Sequence, residues 1–202
     1  MMVFDDKPRS LREKQNVVQR SIDLQQKPDM ARLVKFVESL RRGAVKERVI
    51  IPDFDPWDGG TSAGALFLME KPSKVAAASG FVSRNNDDRT AENIFNLMIE
   101  ADIPREKICI WNVVPGWNGK RKVESAELDA GVRSLKELFP LLPNLKVVVF
   151  VGQKAARALP LLHGASIKID QSPHPSPQVK GRYRDQWNSI PVIWRRVREF
   201  VD

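Results

Sequence analysis

Leu145-Lys146-Val147-Val148-Val149-Phe150-Val151 is the stretch on which the fold turns. A half-exposed strand alternates apolar and polar side chains. This run is apolar on both faces and therefore belongs inside a parallel sheet covered by helices. Gly152 closes it and opens a segment in which Ala155, Ala156 and Leu159 share one side of a helix. Towards the N-terminus, Leu128, Val132, Leu135 and Leu138 recur at helical spacing before Pro140, and residues 107–114 form another apolar strand. Ala91, Ile94, Phe95 and Met98 mark a further helix, and residues 65–69 a further strand. Towards the C-terminus, Ile167-Lys168-Ile169 reads as a brief fourth strand and residues 187–201 as a terminal helix. This alternation predicts an α/β fold, a three-layer α/β/α sandwich with a central, mainly parallel four-stranded sheet.

The N-terminal part is highly charged. Met30, Leu33, Val34, Val37 and Leu40 predict an amphipathic helix over 29–42, with Lys27-Pro28-Asp29 as its start signal and Gly43 as its stop. What precedes it, through Leu24, is more polar and reads as a loosely docked arm. Residues 1–45 are thus expected to be a helical segment docked on an α/β domain of residues 46–202. Asp53, Asp55 and Asp58 have the spacing of a calcium loop, but Gly64 stands where such a loop needs glutamate, so turn chemistry is the better reading. His163, after Leu161 and Leu162, reads as a helix-end cap.

The chain of 202 residues is long enough to bury one substantial core. A net charge of +8 and a pI near 9.8 favour a polyanionic partner such as nucleic acid. Cys109, the single cysteine, lies in an apolar run and has no intramolecular disulfide partner; it reads as a buried, inert thiol. No Cys/His cluster suits zinc or an iron–sulfur centre, so no metal or cofactor is expected. No stretch approaches the roughly 20 apolar residues of a membrane helix, and residues 1–6 lack a signal-peptide pattern. A cytoplasmic monomer without membrane contact is expected.

In open parallel sheets, ligands bind beyond the carboxyl ends of the strands. Those ends run into Glu70-Lys71-Pro72-Ser73, into Pro115-Gly116-Trp117-Asn118-Gly119-Lys120-Arg121-Lys122, and into Ser172-Pro173-His174-Pro175-Ser176-Pro177. Basic residues flank each loop: Lys74, Arg84 and Arg89; Lys120, Arg121 and Lys122; Lys180, Arg182 and Arg184. A basic rim around one crevice suits a phosphate backbone.

These loops resemble the uracil-DNA glycosylase superfamily, over about residues 66–179. Met69-Glu70-Lys71-Pro72-Ser73 is similar to the family's first motif, although Met69 and Ser73 replace its flanking glycines and Lys71 replaces an aspartate or asparagine found in other branches. Phe81 stands where the family places a stacking aromatic, Asn112 where it reads the base edge, and His174-Pro175-Ser176 in its His-Pro-Ser loop. The cysteines of the iron–sulfur branch are missing. The resemblance implies a glycosylase that flips a damaged base, most readily uracil, out of single- or double-stranded DNA and hydrolyses its N-glycosidic bond. Glu70 and His174 are then the catalytic candidates, and Phe81 and Asn112 the base-binding ones. Ser176, Lys120, Arg121, Lys180, Arg182 and Arg184 are the candidates for DNA contact.

The chemistry fits those residue types. A carboxamide pairs a donor with an acceptor, matching the edge of uracil, and an aromatic platform recovers part of the cost of extrusion. A histidine donor stabilises the oxyanion that develops on the base, and a carboxylate orients water. Glu70 competes for that last role with Asp87 and Asp88. Taken singly, Phe81 suits a core position and Asn112 a backbone-satisfying one. A non-catalytic DNA-binding protein of the same fold, recognising a modified base or a DNA structure, is the alternative. A nucleotide-handling enzyme of another class lacks its phosphate-loop or dinucleotide fingerprint here, and a serine hydrolase lacks its nucleophile elbow.

Overall fold

The computed structural model describes residues 6–44, 48–162 and 166–201; His163 lies outside them. A 3-10 turn at Ser10–Arg12 precedes α1 (Lys14–Gln26) and α2 (Ala31–Ala44). There follow β1 (Asp53–Phe54), β2 (Ala65–Met69), α3 (Lys74–Ser79), β3 (Phe81–Val82), α4 (Arg89–Glu100), β4 (Ile108–Asn112) and α5 (Ser125–Leu138). The chain continues through β5 (Val147–Val151), β6 (Lys168–Ser172), α6 (Pro177–Arg182), α7 (Arg184–Arg195) and α8 (Arg198–Val201). The segment after β5, expected as a helix, is a 3-10 stretch, Ala155–Leu162, with Pro160 inside it. The terminal helix starts earlier than its apolar pattern and divides into α7 and α8.

The central sheet has the order β4-β2-β5-β6, and every neighbouring pair is parallel. Every residue of β2, β4 and β5 is buried, as their uninterrupted apolar runs require. From β2 the chain crosses to β4 on one side, then returns past β2 to β5 on the other. That reversal opens a crevice at the carboxyl end of β2.

Strand alternation assigns the two faces of the sheet. Leu68 pairs with Trp111 in register, and Trp111 stacks on Phe54 at 3.9 Å and meets Phe36 of α2 at 6.2 Å. Phe67 pairs with Ile110 and points the opposite way, to Trp194 of α7 at 5.0 Å. Helix α2 also packs on α5, and α4 on α7, so helices flank both faces. Cys109 is buried in β4, and burial raises its thiol pKa far above the ordinary range, which keeps it unreactive.

The polar N-terminal segment is not a loose arm. Leu11 and Leu24 join the same core as the sheet, and Arg20 of α1 is completely buried. Its guanidinium bonds Asp55, donates to Asn85 Oδ1 at 3.0 Å, and lies 3.4 Å from the centre of the Trp57 ring. Arg105 completes the cluster, reaching Asp55 at 2.6 Å, Asp58 at 2.9 Å and Asp6 at 2.6 Å. Burial opposes ionisation of Asp55, but Arg105 and Arg20 outweigh it and hold the carboxyl below its usual range. Burial pushes Asp58 up, and the charge on Asp55 adds to that against the pull of Arg105. The aspartates with calcium-loop spacing are therefore engaged by guanidiniums, Asp53 included, which pairs with Arg41 at 2.8 Å. Among the described residues, no group of three or more His, Cys, Asp or Glu side chains is placed to hold a metal ion, and no helix is long and apolar enough to cross a membrane.

Candidate active site

The register Met69↔Asn112 brings the ends of β2 and β4 side by side, and two more backbone bonds extend the ladder. Val113 N–H donates to the Met69 carbonyl at 2.8 Å and Val114 N–H to that of Glu70 at 2.9 Å. A cavity of about 530 Å³ opens at this edge, on the face shared by α4 and α7. Met69, Ile110 and Asn112 share that face by alternation and line it, with Ile94 of α4 opposite. Asn112 is 2% exposed, and its Nδ2 has no hydrogen-bond partner among the described residues. An orphaned buried donor costs about 1–3 kcal/mol, a cost that a ligand bearing an acceptor removes.

The loop after β6 delivers His174 to the same cavity. Several anchors hold that loop. Trp194 Nε1 donates to Ser172 Oγ at 3.0 Å, and Asn93 Nδ2 donates to the Pro175 carbonyl at 2.9 Å. Ser176 Oγ accepts from Val179 N–H at 3.2 Å, capping α6. Gly152 lies beneath the imidazole with φ +90°, and a Cβ there would stand 3.2 Å from the His174 Cβ. Burial lowers the His174 pKa and Lys154 lowers it further, against the opposite pull of Asp88. The imidazole is therefore neutral near pH 7 and carries one N–H to donate. No hydrogen bond from the described residues engages the ring.

The acidic candidates separate. Glu70 lines the cavity and meets Lys154 at 3.1 Å, a pair whose lysine is 61% exposed and so adds little stability. Asp88 also lines it, accepting from Ala91 N–H at 2.9 Å as the cap of α4 and from Ser73 Oγ at 3.1 Å. Asp87 turns away to Arg9 at 3.5 Å. Lys71 also lines the cavity, but its ammonium is engaged, donating to Glu127 at 2.7 Å and to Asn118 at 2.8 Å.

Phe81, the expected stacking platform, does not line the cavity. In β3 successive side chains face opposite ways; Val82 faces the cavity, and Phe81 is buried in the core. Among the described residues Trp117 is the tryptophan, tyrosine or phenylalanine on the wall. Its backbone exchanges bonds with Ile50 at 2.8 and 2.9 Å, and its neighbour Asn118 is held by Lys71. The clue in the sequence was an aromatic in a loop that leaves a strand's carboxyl end.

Of the basic candidates, Arg121 lines the cavity, together with Lys74 and Arg89 of the flanking loops. Lys120, Lys180, Arg182 and Arg184 are exposed but lie outside its wall, Lys180 over the Trp187 ring at 5.0 Å. Arg84 is no part of a rim. It is buried, 2.6 Å from Asp6 and over the Phe95 ring.

The family model described as Uracil DNA glycosylase superfamily matches residues 54–198. The chain belongs to the uracil DNA glycosylase superfamily. The superfamily match begins after α2, so α1 and α2 lie outside it. Similar solved structures include a solution structure described as a candidate uracil DNA glycosylase from Methanosarcina acetivorans, with 16% identity, a TM-score of 0.47 and coverage of 68% of this chain and 92% of that one. They also include a crystal structure of a mimivirus UNG variant in complex with UGI, with 16% identity, a TM-score of 0.42 and coverage of 79% and 69%. No curated protein matches the chain.

The glycine under His174 gives a test that is independent of activity. Gly152→Ala is expected to shift the His174 ring resonances and lower its stability by about 1–2 kcal/mol, because a side chain at positive φ is strained and this one meets the imidazole. Imidazole proton spectra of a protein with two histidines, read beside thermal melts, measure both. Unchanged His174 resonances would remove Gly152 from the positioning of the ring.

Proposed function

We propose that this protein is a DNA glycosylase that excises a deaminated base, uracil foremost, from DNA. One observation carries the reading: the amide nitrogen of Asn112, unpartnered among the described residues, and the imidazole of His174 face one cavity at the switch point of the sheet. The apolar side chains of Met69, Ile110 and Ile94 suit the faces of a base, and Trp117 supplies an aromatic surface at the rim. Asn112 pairs with the base edge through its donor and acceptor. As the bond from C1′ to the base nitrogen breaks, its electron pair passes to the base. His174 donates a hydrogen bond to the oxygen on which charge gathers. Water adds to C1′ and gives up a proton, which in the net reaction neutralises the released base anion, with Glu70 or Asp88 orienting the water and favouring the cationic sugar. Arg121, Lys74 and Arg89 lie where phosphates flanking an extruded nucleotide pass.

The non-catalytic reading draws on the engagement of the first motif, with Glu70 paired to Lys154 and Lys71 locked to Glu127. Oligonucleotides carrying uracil, hypoxanthine or xanthine, single- and double-stranded, decide between the two when treated with protein and then with alkali. Strand breaks at the uracil position are expected. Binding to the modified oligonucleotides without a break at any of these bases would overturn excision and leave a base reader. In the same assay Asn112→Ala should level the differences among bases, since it removes the directional contact with the base edge.

A further inference from the structure

A second concavity, of about 400 Å³, lies between α1 and α3. Its apolar wall comes from Val17 and Val18 of α1 and from Val75 and Ala78 of α3, with Arg12 and Lys14 also lining it. Val75 lines both concavities, and Lys74, which precedes it, lines the cavity. Val18 is 59% exposed, an apolar surface left uncovered on a helix that elsewhere buries even an arginine. An apolar wall beside cations, adjoining the cavity at Val75, is a surface that single-stranded nucleic acid fits. The wall takes a base face and the cations take phosphates.

We propose that this groove carries the DNA strand beyond the cavity, seating a nucleotide that flanks the extruded one. The proposal rests on the cavity being the base site. It assigns a binding role to a segment outside the superfamily match, because Arg12, Lys14, Val17 and Val18 all precede residue 54. Arg12 is held at 3.1 Å by Glu13, an exposed pair that a phosphate can displace. A groove serving a protein partner instead would leave DNA affinity indifferent to these residues.

Fluorescence anisotropy with undamaged single-stranded oligonucleotides, over a range of salt concentrations, tests the groove without requiring excision. The Arg12→Ala/Lys14→Ala double variant is expected to bind about tenfold or more weakly at low salt. It should also flatten the slope of log affinity against log salt by about 1.4, the loss of two phosphate contacts on a single strand. Val18→Glu should weaken binding similarly, and Glu13→Gln should strengthen it. Arg133→Ala/Lys136→Ala, at exposed sites on α5 outside both concavities, controls for net charge. Groove variants that bind like wild type, or no worse than the α5 control, overturn the proposal. Wild-type protein that binds these strands in a groove-dependent way but breaks none of the modified ones would retain the groove and discard excision. Wild-type protein that binds no DNA would discard both.

Discussion

His174→Ala is expected to slow base release about a hundredfold or more, the size of effect seen when one oxyanion donor is removed. Affinity for uracil-containing DNA should stay within a few-fold. The split follows from where the interaction acts: the charge that the imidazole N–H meets develops only as the glycosidic bond breaks, so its loss raises the barrier with little effect on ground-state binding. The structure adds a pH signature. Burial depresses the His174 pKa, so the neutral donor persists below the ordinary histidine value of about 6.5. The ratio of wild-type to variant rates should therefore stay constant from alkaline pH down to that value, since the ring does not change its proton count in that range. Single-turnover release and anisotropy on the same oligonucleotides measure both quantities. Equal rates for wild type and variant would remove the histidine from the mechanism.

The second large effect is on stability. Asp55→Ala is expected to cost about 3–5 kcal/mol, since it strips the shared acceptor from Arg20 and Arg105 and leaves buried guanidinium charge uncompensated. In a chain of this length that corresponds to a melting temperature lower by roughly 6–20 °C. Asp170→Ala, which breaks a pair with the half-exposed Arg196, should cost about 1 kcal/mol or less. The effect also depends on pH. The folded-state pKa of Asp55 is depressed, so its contribution is present above the unfolded value of about 3.9 and is lost as pH falls through the folded one. The gap between wild type and variant should therefore narrow in acid. A variant melting within 2 °C of wild type at neutral pH, a shift on the order of 1 kcal/mol or less, would show that the cluster does not fasten α1 to the domain.

The central strands were legible because burial on both faces leaves an uninterrupted apolar run, and β2, β4 and β5 each have one. Strands β1 and β3 escaped, since two residues display no period and their partners lie 28 positions apart, Asp53 with Phe81. Charge misled for a related reason. Arg20 fell within the polar arm and Arg84 within the basic rim, but their partners Asp55 and Asp6 lie 35 and 78 positions away, and only folding brings them together. In the site, Asn112 and His174 could be brought to one edge because Asn112 ends β4 and His174 comes two residues after β6. Phe81 turned inward because facing in a two-residue strand depends on a register that the sequence does not display. Trp117 went unremarked because its position depends on a backbone bridge to Ile50, 67 residues away.

The strand order has a consequence for the nascent chain. Strand β5 can lie against β2 as soon as it is made, but its other edge is covered only by β6, which is synthesised later. In that interval Val147-Val148-Val149-Phe150-Val151 is an open edge, free of charge and proline and rich in β-branched residues. Such an edge is a template for another chain's backbone. Lys146 is the gatekeeper at its start, and Lys154 follows three residues after its end. The short strand that delivers His174 thus also closes this edge of the sheet, so a chain cut short before β6 is expected to expose an aggregation-prone edge as well as to lack its site.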